Sequence, residues 1–210
     1  MGDTLRLYRL EEPKSIAGGK LYPMVLLLHG LDGEAASFVS MFKEQNGSEK
    51  WFIVAPQAPV RSTAKGAHST WDRNQDAQFL LNLLSFLEDK YPLDRKRIAV
   101  VGYSAGSSMA LALAKSDPHR FFKLGLIGGG RLSAGEKPPG FESLKVFLFG
   151  AEHDDYFNRA GMDAAKKAFE NAGAKVDLEV VPGTDHSTIY EHGARMVKWI
   201  YDEDHATGDH

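Results

Sequence analysis

Cysteine is absent from the 210-residue chain. That removes a disulfide framework, thiolate metal ligation and a cysteine nucleophile together. Proline (9 residues) and glycine (21) are too few for a collagen-like or low-complexity chain. Positive charge is not in excess, with Lys+Arg 25 against Asp+Glu 28 and a net charge of -3. Such a balance is a poor electrostatic match for nucleic acid or anionic lipid, so neither is expected as a partner. Long apolar runs are also missing. The strand-like run Met24 to Leu28 falls far short of the roughly 20 residues of a membrane span. The opening residues MGDTLRLYRLEEPK lack the basic start and apolar run of a secretory leader, which points to a cytoplasmic location.

What remains is ordinary globular composition, 43% hydrophobic and 25% charged, enough to exclude disorder of the whole chain. A chain of this length buries roughly 70% of its unfolded surface. One domain is expected over residues 1–201, with a polar tail over 202–210 that frays.

Short apolar runs alternate with segments of helical period. Met24–Leu28 ends at His29-Gly30, Trp51–Ala55 at a proline, Arg97–Val101 at Gly102, and Leu124–Ile127 in three glycines. Lys145–Phe149 ends at Gly150, and Val176–Val181 at Pro182-Gly183. Runs that are apolar without alternation suit strands covered on both faces. Thr4–Leu10 reads as an edge strand. Helices are predicted over Gln75–Tyr91, Ala105–Lys115, Asn158–Ala172 and Ser187–Tyr201 from their apolar spacing. Strand and helix in alternation give an α/β class: a doubly wound, mostly parallel sheet of about seven strands. Sites in such sheets form beyond the carboxyl ends of the strands.

The sharpest motif is Gly102-Tyr103-Ser104-Ala105-Gly106, between a strand and a helix of small residues. A serine nucleophile stands on a tight strand-to-helix turn where side chains at the flanking positions would collide with backbone. Chance matches to G-x-S-x-G occur, and the strand–turn–helix context is what singles this one out. Ser107 and Ser108 read as packed or capping, and Ser133 lacks the strand.

A serine hydroxyl needs a base, and the base needs a third group to orient it. Of eight histidines, His205 and His210 sit in the tail, His119 and His192 read as surface residues, and His68 lies in a polar loop. His186, in Gly183-Thr-Asp-His186-Ser187, follows the last strand and shares the sheet edge of Ser104, although a turn histidine there could merely cap the helix. The acid is sought at the remaining strand end, Gly150-Ala-Glu-His-Asp-Asp155, where Asp154 is assigned and Asp155 and Glu152 are alternatives. The order Ser, acid, His is that of the α/β-hydrolases. The oxyanion hole needs two N–H donors, predicted to be the backbone amides of Ala105 and of Leu31 in His29-Gly30-Leu31-Asp32-Gly33. His29 could be a second base, but an imidazole at that strand end more often braces the turn.

Together these residues resemble the phospholipase/carboxylesterase family of α/β-hydrolases, which includes acyl-protein thioesterases. The matching pieces are Leu-Leu-His-Gly-Leu31, Ala-Pro56-Gln-Ala-Pro59-Val-Arg61, Trp71-Asp72, Gly-Tyr-Ser104-Ala-Gly and Gly-Thr-Asp-His186-Ser, across roughly residues 20–200. There are two departures from the family pattern. Ser107 stands where a second glycine is usual, and one extra residue separates Gly150 from Asp154. By the resemblance Trp71 faces the substrate, although a loop aromatic could equally plug the core edge. The resemblance implies a carboxylesterase acting through an acyl-enzyme on Ser104 with no cofactor, on a small-molecule or lipid-like ester. The segments after each strand leave little room for a lid, so short to medium acyl chains are expected. A thioesterase or lysophospholipase would use the same machinery. A hydrolase fold kept as a ligand sensor is the rival of another class, though a sensor has no physical need for all three triad residues. Gly128-Gly-Gly130 does not complete G-x-G-x-x-G, no phosphate-binding G-x-x-x-x-G-K-[ST] is present, and His153 with Asp154 and Asp155 lacks metal-ligand spacing.

Overall fold

A computed structural model describes residues 5–45, 47–64 and 66–202. Of the expected tail, only Asp202 lies among them.

Seven strands form one sheet: β1 (Tyr8–Glu11), β2 (Tyr22–Leu28), β3 (Phe52–Pro56), β6 (Leu93–Tyr103), β7 (Lys123–Ile127), β8 (Lys145–Ala151) and β9 (Lys175–Val181). A separate hairpin, β4 (Val60–Thr63) and β5 (Gly66–Ser69), stands between β3 and the next helix. The sheet order is β1-β3-β2-β6-β7-β8-β9. All neighbours are parallel except β1, which runs antiparallel to β3 at the edge.

Alternate residues of each central strand feed opposite faces, as the strand pleat requires. Met24, Leu26 and Leu28 of β2, with Val100 of β6, pack under α2 (Asp76–Lys90), α3 (Ala105–Ser116) and α4 (Arg159–Asn171). Val25 and Leu27, with Ala99 and Val101, pack under α1 (Ala35–Lys43) and α5 (Ala194–Tyr201). Burial on both faces accounts for runs without alternation. β2 is buried along its full length. The chain leaves β2 towards β3 on one side and returns to β6 on the other, so the carboxyl ends of β2 and β6 form the switch point where a cleft is expected.

Three features depart from the sequence reading. The edge strand begins at Tyr8, later than expected. The continuous helix expected over Ser187–Tyr201 is instead a 3₁₀ turn, Thr188–His192, and then α5, separated at Gly193. A Cβ on Gly193 would lie 1.9 Å from the Met41 sulfur, so this break lets α1 and the terminal segment approach. Finally, α1 and the hairpin have no counterpart in the expected elements. No helix among the described residues is long and apolar enough to cross a membrane.

Candidate active site

Ser104 occupies the turn between β6 and α3 with φ 53° and ψ -113°, a region that non-glycine residues rarely enter. The flanking glycines explain how the turn closes. A Cβ on Gly102 would meet the Gly106 carbonyl oxygen at 2.2 Å, and one on Gly106 would meet the Leu28 carbonyl oxygen at 1.9 Å. Both collisions are with backbone, so no side-chain movement relieves them. Ser107, at the family's second-glycine position, is fully buried and ties the elbow to β7. Its Oγ accepts from the Ile127 N–H at 3.1 Å and donates to the Gly102 carbonyl at 2.7 Å. The Ser104 N–H donates to the Ile127 carbonyl at 2.8 Å, which fixes the turn further.

The turn after β9 brings His186 to this elbow. Its Nε2 lies 2.9 Å from Ser104 Oγ, and its Nδ1 lies 2.8 Å from Asp154 Oδ2. The capping role that His186 could have taken belongs to its neighbour: Asp185 Oδ1 accepts from the Ser187 and Thr188 N–H groups. The bonds from Thr188 and Ser187 hold the Asp185 carboxyl below its usual pKa. Tyr103 stacks on the imidazole with ring centroids 5.7 Å apart, and its hydroxyl donates to the His186 carbonyl at 2.8 Å. Burial, then the Asp154 charge, raises the Tyr103 pKa, so this donor keeps its proton. Gly128, with φ 57°, passes beneath the ring, where a Cβ would lie 3.2 Å from His186 Cε1.

Among the three acids of the β8 turn, only Asp154 is buried; Glu152 and Asp155 are exposed. Asp154 Oδ1 accepts from the Tyr156 and Phe157 N–H groups, each at 2.8 Å, leaving Oδ2 for the histidine. Glu152 serves the turn in another way, with its Oε2 accepting from the Gly183 N–H. With the His153 N–H donating to the Thr184 carbonyl, it joins the acid turn to the histidine turn. The extra residue after Gly150 is accommodated within this cross-linked pair of turns.

The β2 turn is equally fixed. The Gly33 N–H donates to the Gly30 carbonyl, and the Asp32 N–H to the Ser69 carbonyl of the hairpin. His29 acts as a brace. Its Nδ1 sits 2.7 Å from the Gly30 carbonyl, and its Nε2 accepts from the Ala58 N–H, a network that assigns the proton to Nδ1. Burial depresses the His29 pKa, in keeping with a neutral ring. Among the described residues no hydrogen bond uses the N–H of Leu31 or Ala105. Both residues line a cleft of about 770 Å³ together with Ser104 and His186. Ala105 is the first residue of α3, so its N–H has no partner inside the helix.

Trp71, expected from the resemblance to face the substrate, packs beside the β2 turn. It is 8% exposed, and the cleft lining does not include it. Its indole N–H donates to the His29 carbonyl at 2.8 Å, and its ring packs against the His29 imidazole with centroids 5.3 Å apart. A buried indole must satisfy its N–H. The buried His29 carbonyl just beyond β2 supplies the acceptor. Trp71 therefore steadies the strand end that carries Leu31.

Sequence reasoning missed Arg73, Arg131 and Tyr156, all of which line the cleft. Tyr156 also contacts the His186 ring, with centroids 5.0 Å apart. None belongs to a motif. Only the position of each just after a strand end or motif, on the side of the sheet where sites form, could have signalled it. Among the described residues no three His, Asp or Glu side chains gather as a metal site.

Known proteins share both the sequence pattern and the fold. Residues 16–202 match the model of the family described as Phospholipase/Carboxylesterase. A comparison with curated protein sequences gave no match. Solved structures share the fold at low identity. A thermostable esterase aligns with TM-score 0.71 at 20% identity over 93% of this chain, which spans only 58% of that protein. The Bacillus cereus carboxylesterase aligns with TM-score 0.70 at 19% identity over 94% of each chain. Acyl-protein thioesterase 2 of Zea mays aligns with TM-score 0.72 at 19% identity, over 92% of this chain and 97% of that one. The elbow, the parallel sheet and a family match covering most of the chain agree, and the protein belongs to the phospholipase/carboxylesterase family of α/β-hydrolases.

Proposed function

We propose that the protein is a serine hydrolase that cleaves carboxylic esters of short to medium acyl chains through an acyl-enzyme on Ser104. One observation carries the reading: an unbroken relay of hydrogen-bond distances, 2.9 Å from Ser104 Oγ to His186 Nε2 and 2.8 Å from His186 Nδ1 to Asp154 Oδ2. A sensor or scaffold would need none of it.

The steps follow from this arrangement. His186 Nε2 takes the hydroxyl proton as Ser104 Oγ attacks the acyl carbonyl. The charge that develops on the carbonyl oxygen is held by the N–H groups of Ala105 and Leu31, each such donor contributing about 3 kcal/mol to lowering the barrier. Asp154, anchored by two backbone N–H groups, keeps the imidazole proton on Nδ1 and stabilises the imidazolium. His186 then returns its proton to the departing alcohol oxygen, the ester C–O bond breaks, and the acyl group stays on Ser104. Water, activated by the same imidazole, releases the acid in a second pass. A thiol leaves as readily as an alcohol by this route, so thioesters belong to the same proposal.

The test is release of 4-nitrophenol from 4-nitrophenyl butyrate by the wild type and by Ser104→Ala. Wild-type turnover with loss of about 10⁴-fold or more in the variant is expected. Equal rates in the two proteins would overturn the reading, and binding of the ester without turnover would favour the sensor.

A further inference from the structure

The proposed cleft carries charge of one sign only. Its lining includes two arginines, Arg73 and Arg131, and no aspartate or glutamate. This is the reverse of the chain as a whole, whose net charge is -3. Arg73 follows Trp71-Asp72 on the rim, and no hydrogen bond or ion pair to a described residue holds its guanidinium. The carboxylate beside it is already engaged: Asp72 Oδ1 accepts from the Asn74 and Gln75 N–H groups, and Oδ2 from the Gln75 side chain. Arg131 has more contacts. Its Nη2 donates to the Tyr156 carbonyl, and its guanidinium lies 5.2 Å from the centroid of the Phe157 ring. Those contacts fix the plane of the fork and leave the rest of it for the cleft. Beside the two cations the lining is largely apolar, with the exposed Leu31 and Tyr156 on its surface and Phe157 buried behind it.

Resting on the serine-hydrolase reading, we infer that the preferred substrate is a small ester bearing a free carboxylate, such as a half-ester of a dicarboxylic acid, which Arg73 and Arg131 bind through its second acid group. Guanidinium pairs carboxylate through parallel N–H donors, and such bonds to an ion exceed those between neutral groups. A neutral ester would meet the apolar wall but would leave Arg131 without a counter-charge and Arg73 with only the neighbouring Asp72 carboxylate, which is already engaged by Asn74 and Gln75.

The experiment compares kcat/KM on matched pairs that place the charge on either side of the scissile bond. Mono-4-nitrophenyl adipate is set against 4-nitrophenyl hexanoate, and 4-carboxyphenyl acetate against phenyl acetate. The readout is the anionic-to-neutral ratio in the wild type, Arg73→Gln, Arg131→Gln and Arg131→Lys, which cancels intrinsic differences in ester reactivity. For at least one pair the ratio is expected to fall about tenfold in Arg73→Gln and in Arg131→Gln, the low end for a partly exposed charged hydrogen bond. It is expected to recover only in part in Arg131→Lys, which keeps charge without the fork. Free adipate is expected to inhibit the wild type competitively, and both glutamine variants more weakly. Ratios unchanged in Arg73→Gln overturn the inference while leaving the hydrolase standing, and that variant removes no hydrogen bond or ion pair among the described residues. Competition by inorganic phosphate but not by adipate also overturns it, because the anion would then be a phosphate. Failure of the wild type to hydrolyse any of the four esters overturns both readings.

Discussion

Replacing Asp154 by asparagine isolates the orienting role proposed for the acid from its packing. The side chain is buried, and its two oxygens have separate duties: Oδ1 accepts from the Tyr156 and Phe157 N–H groups, and Oδ2 faces His186 Nδ1. An asparagine must keep its oxygen on the two N–H donors, because its amide group would otherwise point hydrogens at hydrogens. That places the NH₂ against Nδ1, which becomes an acceptor, and moves the imidazole proton to Nε2, facing Ser104 Oγ. A histidine with its proton on that side cannot take another from the serine. In proteases with this relay, the wrong tautomer costs about 10⁴-fold in kcat. At 1.36 kcal/mol per decade the barrier rises by about 5.5 kcal/mol. Folding is expected to survive, since one buried acceptor replaces another of the same shape. The melting temperature should move by less than about 4 °C, the equivalent of 1 kcal/mol in a chain of this size. Steady-state hydrolysis of 4-nitrophenyl butyrate and thermal unfolding followed by circular dichroism give the two numbers. Asp155→Asn, whose side chain is exposed, serves as the control and should keep at least half of wild-type kcat. Retention of more than a tenth of kcat by Asp154→Asn, or a larger loss in Asp155→Asn, refutes the argument.

Other perturbations probe the frame around the relay. Ser107→Ala removes a fully buried hydroxyl and leaves the Ile127 N–H without that acceptor, so chemical denaturation should show a loss of about 1–3 kcal/mol. Gly106→Ala drives a methyl group into the Leu28 carbonyl, and the predicted result is failure to accumulate as soluble protein or a loss of stability well above 3 kcal/mol. Trp71→Phe deletes the N–H bond to the His29 carbonyl, and a stability loss of about 1 kcal/mol with a several-fold fall in kcat at little change in KM would mark its support of the Leu31 turn. His29 makes stability depend on pH. Its folded pKa lies below the unfolded value, so below about 6.5 the unfolded chain takes up a proton that the folded protein refuses. Its contribution is complete above that pH and declines as pH falls towards the folded pKa. Urea midpoints between pH 7 and pH 5 should fall less steeply in His29→Asn than in the wild type.

How much of this was legible in the sequence depended on whether a residue's role is local. The central strands announced themselves because burial on both faces demands uninterrupted apolar residues, as in β2 and β8. The elbow was legible because two glycines beside a serine answer a backbone collision that any strand-to-helix turn of this kind creates. His186 followed from chain order and sheet edge. Asp154 did not follow fully: its neighbours share its chemistry, and only burial with two N–H donors separates it from Asp155. Helix α1 was hidden although Ala35, Phe38, Val39 and Phe42 form a full apolar stripe, because it is only nine residues long, follows a glycine-rich turn and has no side-chain N-cap. The hairpin was hidden because β4 and β5 are short and largely exposed, so no buried face imposed a pattern. Trp71 illustrates the general limit. Its neighbours in sequence said only that it sat in a loop near the site, and both a wall of the cleft and a plug of the core suit an indole. What the sequence could not show was the His29 carbonyl, just past a strand more than forty positions earlier, that the indole N–H finds. The same reasoning explains why the arginines went unread. A guanidinium acquires meaning from what its neighbours leave unpaired, and the engagement of Asp72 with Asn74 and Gln75 becomes visible only once the turn is folded.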